Sequence, residues 1–168
     1  GLTDAGKALI RACNGLKIMV DLSHLNEKGF WDVAAISDAP LVATHSNVHA
    51  ICGHSRNLTD KQLAAIKDTG GMVGVNYAVN FLRPDGKRDE DTPLAQVVDH
   101  IDYLIRHVGE DGVGLGSDFD GAMIPKQIGT AAGLPNLVEE MRARQYGETL
   151  IEKICFRNWL RVLKTTWS

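Results

Sequence analysis

The chain has 168 residues, 44% hydrophobic and 23% charged, with a formal net charge of −3. That is room for one domain with a hydrophobic core, of ordinary soluble globular composition. No basic stripe appears, which argues against nucleic acid as a partner, and no apolar run reaches the roughly 18 residues of a membrane span. The thiols Cys13, Cys52 and Cys155 are odd in number and form no CxxC pair, which points to reduced cysteines and a cytoplasmic location. No signal-like segment is present at Gly1, so any targeting sequence is expected upstream.

In chain order, Thr3 is placed to cap a first helix carrying Leu9, Ile10, Cys13 and Leu16 on one face. Four short apolar runs then read as buried strands: Ile18–Val20, Leu41–Ala43, Met72–Val75 and Val113–Gly116. Helical segments separate them. Thr59 followed by Gln62 makes a capping box before Leu63, Ala64 and Ile66, and Gly70-Gly71 ends that helix. Thr92-Pro93 predicts an N-cap with proline at the first helical position. The run from Leu94 through Val97, Val98, Ile101, Leu104 and Val108 has the spacing of an amphipathic helix. Between the third strand and this helix lies a long charged loop, Tyr77 to Asp91. Leu134–Met141 and Leu150–Leu163 read as two closing helices.

This alternation predicts an α/β fold of TIM-barrel-like βα repeats: a half-barrel of four parallel strands with closing helices. A full barrel takes about 250 residues, so four units are expected to form half of one. A small open doubly wound sheet is the alternative, but no glycine-rich phosphate fingerprint follows any strand.

In such folds the carboxyl ends of the strands converge on one face. Here they read Asp21-Leu22-Ser23-His24, Thr44-His45-Ser46-Asn47, Asn76-Tyr77 and Ser117-Asp118-Phe119-Asp120. His24 and His45 are one βα unit apart and can share a metal ion from adjacent strands. Asp118 could move a proton between water and a leaving group. The competing readings are hydrogen-bonded loop histidines and an N-capping aspartate. For Arg56, a surface salt bridge competes with a guanidinium clamp for a substrate carboxylate. His49 and His54 read as polar loop residues and Cys52 as a small buried residue. His100-Ile101-Asp102 mimics an H-x-D metal motif, but its mid-helix position, with His100 and His107 on the polar face, marks it as a decoy.

The strings DLSH, THSN, RNLTD and VGLGSDFDG, in this order and spacing, together with GLTDAG and NWLRVL, resemble the membrane dipeptidase family of binuclear zinc peptidases. The resemblance implies a TIM-like barrel, of which residues 1–168 are the C-terminal half with the N-terminal half absent, and hydrolysis of a dipeptide's single amide bond by metal-held hydroxide. It implies that His24 and His45 ligate the second of two zinc ions, so that this chain supplies ligands to one. It further implies that Arg56 binds the substrate carboxylate and Asp118 carries the proton, with Asn76 and Tyr77 lining the substrate pocket. The family's H-x-D pair, bridging glutamate and intermediate-stabilising histidine have no counterpart here. Expected partners are a dipeptide, the N-terminal half of the barrel in the same gene or as another chain, and further copies in a homo-oligomer. The isolated chain is expected to be inactive. Another metal-dependent amidohydrolase, or a non-catalytic fragment that needs a partner chain, are the alternative readings.

Overall fold

The computed structural model describes all residues, Gly1–Ser168. At its centre is a parallel sheet of three strands in the order β1-β2-β3: β1 (Val42–Ala43), β2 (Met72–Val75) and β3 (Val113–Leu115). Val42 is in register with Met72, and Val73 with Val113. Every residue of β1 and β2 is buried, as expected of parallel strands covered on both faces. Side chains alternate across the sheet. Ala43, Val73, Val75 and Val113 join the main core, which includes Leu63 and Ile66 of α3 (Asp60–Asp68) and Val97, Ile101 and Leu104 of α5 (Leu94–Val108). Val42 and Met72 point the other way, onto Val162 of the C-terminal helix α8 (Asn158–Trp167).

The sheet has three strands, not the four expected. The run Ile18–Val20 forms no strand, and only Asp21 makes an isolated parallel bridge to Val42, with the Leu22 N–H donating to Val42 O at 2.9 Å. The run lies outside β1 at the sheet edge, where Ile18 is 51% exposed and no strand lies on its outer side. Extended backbone gains regular pairing only where a neighbouring strand supplies partners. The order of strand ends along the sheet is nevertheless as the sequence implied.

The helices follow their local signals closely. Thr3 accepts from Gly6 N–H and opens α1 (Asp4–Gly15), although only Ile10 of its apolar face is buried. Asn26 caps α2 (Glu27–Ala34). The capping box of α3 forms, with Gln62 Oε1 accepting from Thr59 N–H at 2.9 Å. Pro93 itself is the N-cap of α5, one residue beyond expectation, because the Thr92 hydroxyl donates to Asp89 O instead. The charged loop contains a one-turn helix, α4 (Val79–Leu82). The closing region comprises α6 (Leu134–Ala143), α7 (Glu148–Glu152), a π-helical segment Lys153–Arg157, and α8.

Polar side chains fix α8 beneath the sheet. Asn158 donates to Glu110 O and Val113 O, Trp159 to Leu115 O, and Arg161 to the carbonyls of Gly70, Gly71 and Asp111. These bonds satisfy backbone groups around β2 and β3 that no further strand reaches.

Candidate active site

Hydrogen bonds stitch the Asp21–His24 segment and the three strand ends together in sequence order. Asp21 Oδ1 accepts from the backbone N–H groups of both Ser23 and Thr44, each at 2.9 Å. Ser23 Oγ accepts from His45 N–H at 3.0 Å and lies 3.2 Å from Ser46 Oγ. That segment and the end of β1 are thus held at one level. The Asn47 side-chain amide brackets the Asn76 backbone, its Nδ2 donating to Asn76 O at 2.9 Å and its Oδ1 accepting from Asn76 N–H at 3.1 Å. Asn76 Nδ2 then donates to Asp118 Oδ2 at 2.9 Å, which joins the end of β2 to that of β3.

This stitching brings His24 and His45 together. Their Nε2 atoms are 3.0 Å apart and their ring centroids 5.0 Å apart, with the planes tilted by 56°. Two nitrogens bound tetrahedrally to one zinc lie about 3.3 Å apart at ordinary bond lengths. The pair is therefore spaced as two ligands of a single ion. Burial, the Arg56 charge and His45 push the His24 imidazole below its ordinary titration range, while Asp118 and Asp21 oppose the shift. The neutral form thus favoured is the one with a lone pair to give. No group of three or more His, Cys, Asp or Glu side chains is arranged to hold a metal.

The backbone at this face is unusual. His24 has φ 70° and Asp118 φ 68°, in the left-handed region that non-glycine residues seldom occupy. Such conformations persist where the surroundings over-determine them, and they cluster at working sites. Gly121 closes the turn after Asp118: a Cβ there would sit 2.5 Å from Asp118 Oδ1, so only glycine leaves that carboxylate in place. His24 and Asp118 border a cavity of about 430 Å³ also lined by Asn80, Phe81, Arg88 and Met123.

Arg56 stands beside the pair. Its Nη2 donates to His45 O at 3.4 Å and its guanidinium lies 5.6 Å from the centre of the Phe81 ring. It forms no salt bridge, and its buried Nε has no partner. The surface salt bridge weighed against a carboxylate clamp is thus not formed.

Residues 1–167 match the family model for membrane dipeptidase, peptidase family M19. The chain belongs to that family. It is 58% identical over 168 residues to an uncharacterized protein in the pqqA 5′ region of Klebsiella pneumoniae, covering 100% of this chain and 62% of that one. It is 35% identical to an uncharacterized dipeptidase of Schizosaccharomyces pombe, covering 99% of this chain and 40% of that one. Among solved structures, a metallo peptidase from Rhodobacter sphaeroides liganded with a phosphinate mimic of L-Ala-D-Ala superposes with a TM-score of 0.98 at 57% identity, covering 99% of this chain and 48% of its own. An amidohydrolase from Pseudomonas aeruginosa gives 0.90 at 31% identity, covering 99% of this chain and 58% of its own. The chain spans between 40% and 62% of the length of these relatives.

His24, His45, Arg56, Asn76 and Asp118 all gather at the strand-end face. Tyr77 does not: its side chain is fully buried in the core, edge-on to Phe119 at 5.9 Å, and its hydroxyl has no partner. It continues the all-buried β2, which places it under the site and not at the pocket. Burial pushes its phenol far above the ordinary range. His100, expected on the polar face of α5, is instead wholly buried; Nδ1 accepts from Val48 N–H at 3.1 Å and Nε2 lies 3.0 Å from Leu82 O. Both ring nitrogens are engaged by backbone within the core and not turned to solvent. Sequence reasoning passed over Asn47 and Ser23, whose only signal was their place within the strand-end strings.

Proposed function

We infer that this chain supplies part of the active site of a metal-dependent dipeptidase, hydrolysing the amide bond of a dipeptide. One observation carries the reading: two imidazole Nε2 atoms meet 3.0 Å apart on the same face as an Asn76-anchored Asp118. His24 and His45 would hold one ion, which we take to be zinc from the family resemblance, a metal that neutral imidazoles suit. Zinc, when bound, supplies Lewis acidity toward the peptide carbonyl and lowers the pKa of water.

The chain's own residues do the rest. Asp118 keeps Oδ1 free while Oδ2 accepts from Asn76, so one carboxylate oxygen is held and the other is available to take a proton and return it to the leaving amine. Arg56, with no carboxylate partner of its own, receives the free carboxylate of the dipeptide, and Phe81 orients its plane. That unpaired guanidinium favours a dipeptide over the uncharged cyclic amides open to other amidohydrolases. The parallel sheet with open edges fits one half of a TIM-like barrel, whose other half would add metal ligands. Catalytic zinc sites ordinarily use three protein ligands.

The test is zinc-dependent hydrolysis of dipeptides, L-Ala-D-Ala among them. The chain alone is compared with the chain joined to the half of the family's length that it does not span. Turnover by the joined protein, and none by the chain alone, is expected. Turnover by the chain alone would contradict the shared site, and a joined protein that binds zinc without cleaving dipeptides would contradict the activity.

A further inference from the structure

We propose that Asp21, acting through the Thr44 hydroxyl, fixes the tautomer of His45 so that its Nε2 lone pair faces His24. Asp21 and Thr44 are positioning residues, and the inference rests on the reading of His45 as a metal ligand. Thr44 Oγ1 lies 2.6 Å from Asp21 Oδ2 and 2.7 Å from His45 Nδ1. A hydroxyl has one proton to donate, and a carboxylate can only accept. The proton therefore goes to Asp21 in a charge-assisted bond, which leaves Oγ1 to accept from His45 Nδ1–H. The proton of the neutral ring is then on Nδ1, and Nε2 carries the lone pair.

Asp21 cannot turn away from this task. Its Oδ1 is held by the Ser23 and Thr44 N–H groups at 2.9 Å each, which aims Oδ2 at the hydroxyl. Direct contact is excluded, because Oδ2 is 3.8 Å from His45 Nδ1. The threonine thus extends the carboxylate–histidine pairing that commonly orients metal-bound imidazoles by one link. On the far side, His24 Nε2–H donates to His45 Nε2 across their 3.0 Å separation while no ion is bound. Both Nε2 lone pairs can face one ion only when that proton moves to His24 Nδ1, which keeps the ring neutral.

The geometry makes a sharp demand of Asp21→Asn. The two backbone N–H groups keep the amide oxygen in the Oδ1 place, so the NH₂ group takes the Oδ2 place and donates to Thr44 Oγ1. The hydroxyl then turns to donate to His45 Nδ1, and the ring proton moves to Nε2. Removing one charge two links away reverses a tautomer.

Long-range ¹H–¹⁵N correlation of ¹⁵N-histidine-labelled, metal-free chain reads this directly, at a pH where the ring is neutral. The wild type and Thr44→Ser are expected to hold the proton on Nδ1 of His45, Thr44→Val to show a mixture, and Asp21→Asn to hold it on Nε2. His100 is an internal control that should not change. A wild-type His45 protonated on Nε2, or a Thr44→Val ring unchanged from wild type in a folded protein, would overturn the proposal. Zinc titration separates the two layers of the argument. The relay with no zinc response at His45 would sink the ligand reading alone. A zinc response with the wrong tautomer in the free protein would sink the relay alone.

Discussion

His100 and the pair His24–His45 are opposite kinds of histidine environment within one small fold. At His100 both ring nitrogens are taken up by backbone: Val48 N–H donates to Nδ1, so Nε2–H must donate to Leu82 O. The ring joins the segment after β1 to α4 from within the core. At the strand ends only one nitrogen of His45 has a polar partner outside the pair, and the two Nε2 atoms have only each other. A buried histidine with full partners is a structural bolt, whereas a nitrogen left to converge with another is ready to bind something. The difference lies in the partners and not in the residue.

The largest effect that sharpens this contrast belongs to the strand-end face. Asp118→Asn in the active protein should cut kcat by about 10²–10⁴-fold, the usual contribution of a general acid–base. The melting temperature should change little. Unchanged kcat would remove Asp118 from the chemistry.

The bolt should fail thermodynamically and not kinetically. His100→Leu leaves Val48 N–H and Leu82 O without partners, at about 1–3 kcal/mol for each orphaned group. Denaturant unfolding should show that loss, with zinc affinity unaltered.

Acid should act through the same ring. Burial lowers the His100 pKa from 6.5 to about 4, against the raising effects of its bond to Leu82 and the Asp99 charge. Between these values the unfolded chain binds more protons than the folded one, so stability rises with pH. The contribution is complete above pH 6.5 and is lost as the pH falls toward 4, a change on the order of 3 kcal/mol. His100→Leu should flatten that limb of the stability curve, and an unflattened limb would assign the acid sensitivity to other groups.

The smallest effect tests substrate grip. Arg56→Lys keeps the charge but loses the planar fork, so kcat/KM for dipeptides should fall roughly tenfold with stability nearly constant. Loss of stability with unchanged kinetics would return Arg56 to a structural role.

Much of this was legible in the sequence, and the exceptions have physical causes. Val42–Ala43, Met72–Val75 and Val113–Leu115 are buried runs, and composition alone marks such runs. Ile18–Val20 has the same composition, but pairing depends on neighbours that a local window does not contain. His100 lies between Val97 and Leu104, three and four residues from each, so its spacing placed it on the apolar face. Its polar label concealed this. The strand-end residues were readable because βα repeats put them at one level. The link from Asp21 through Thr44 joins residues 23 apart and depends on hydroxyl geometry, which spacing does not encode. Tyr77 was placed at the pocket by the resemblance alone, and its large apolar ring, next after an all-buried strand, is taken up by the core instead.

The central claim is that His24 and His45 bind one metal ion while His100 binds none. Zinc titration of the ¹⁵N-histidine-labelled chain, followed at the ring nitrogens, tests it most directly. The account predicts that the Nε2 resonances of His24 and His45 shift together with one stoichiometry, while those of His100 stay fixed. Zinc-dependent shifts at only one of the pair, or at His100, would contradict it.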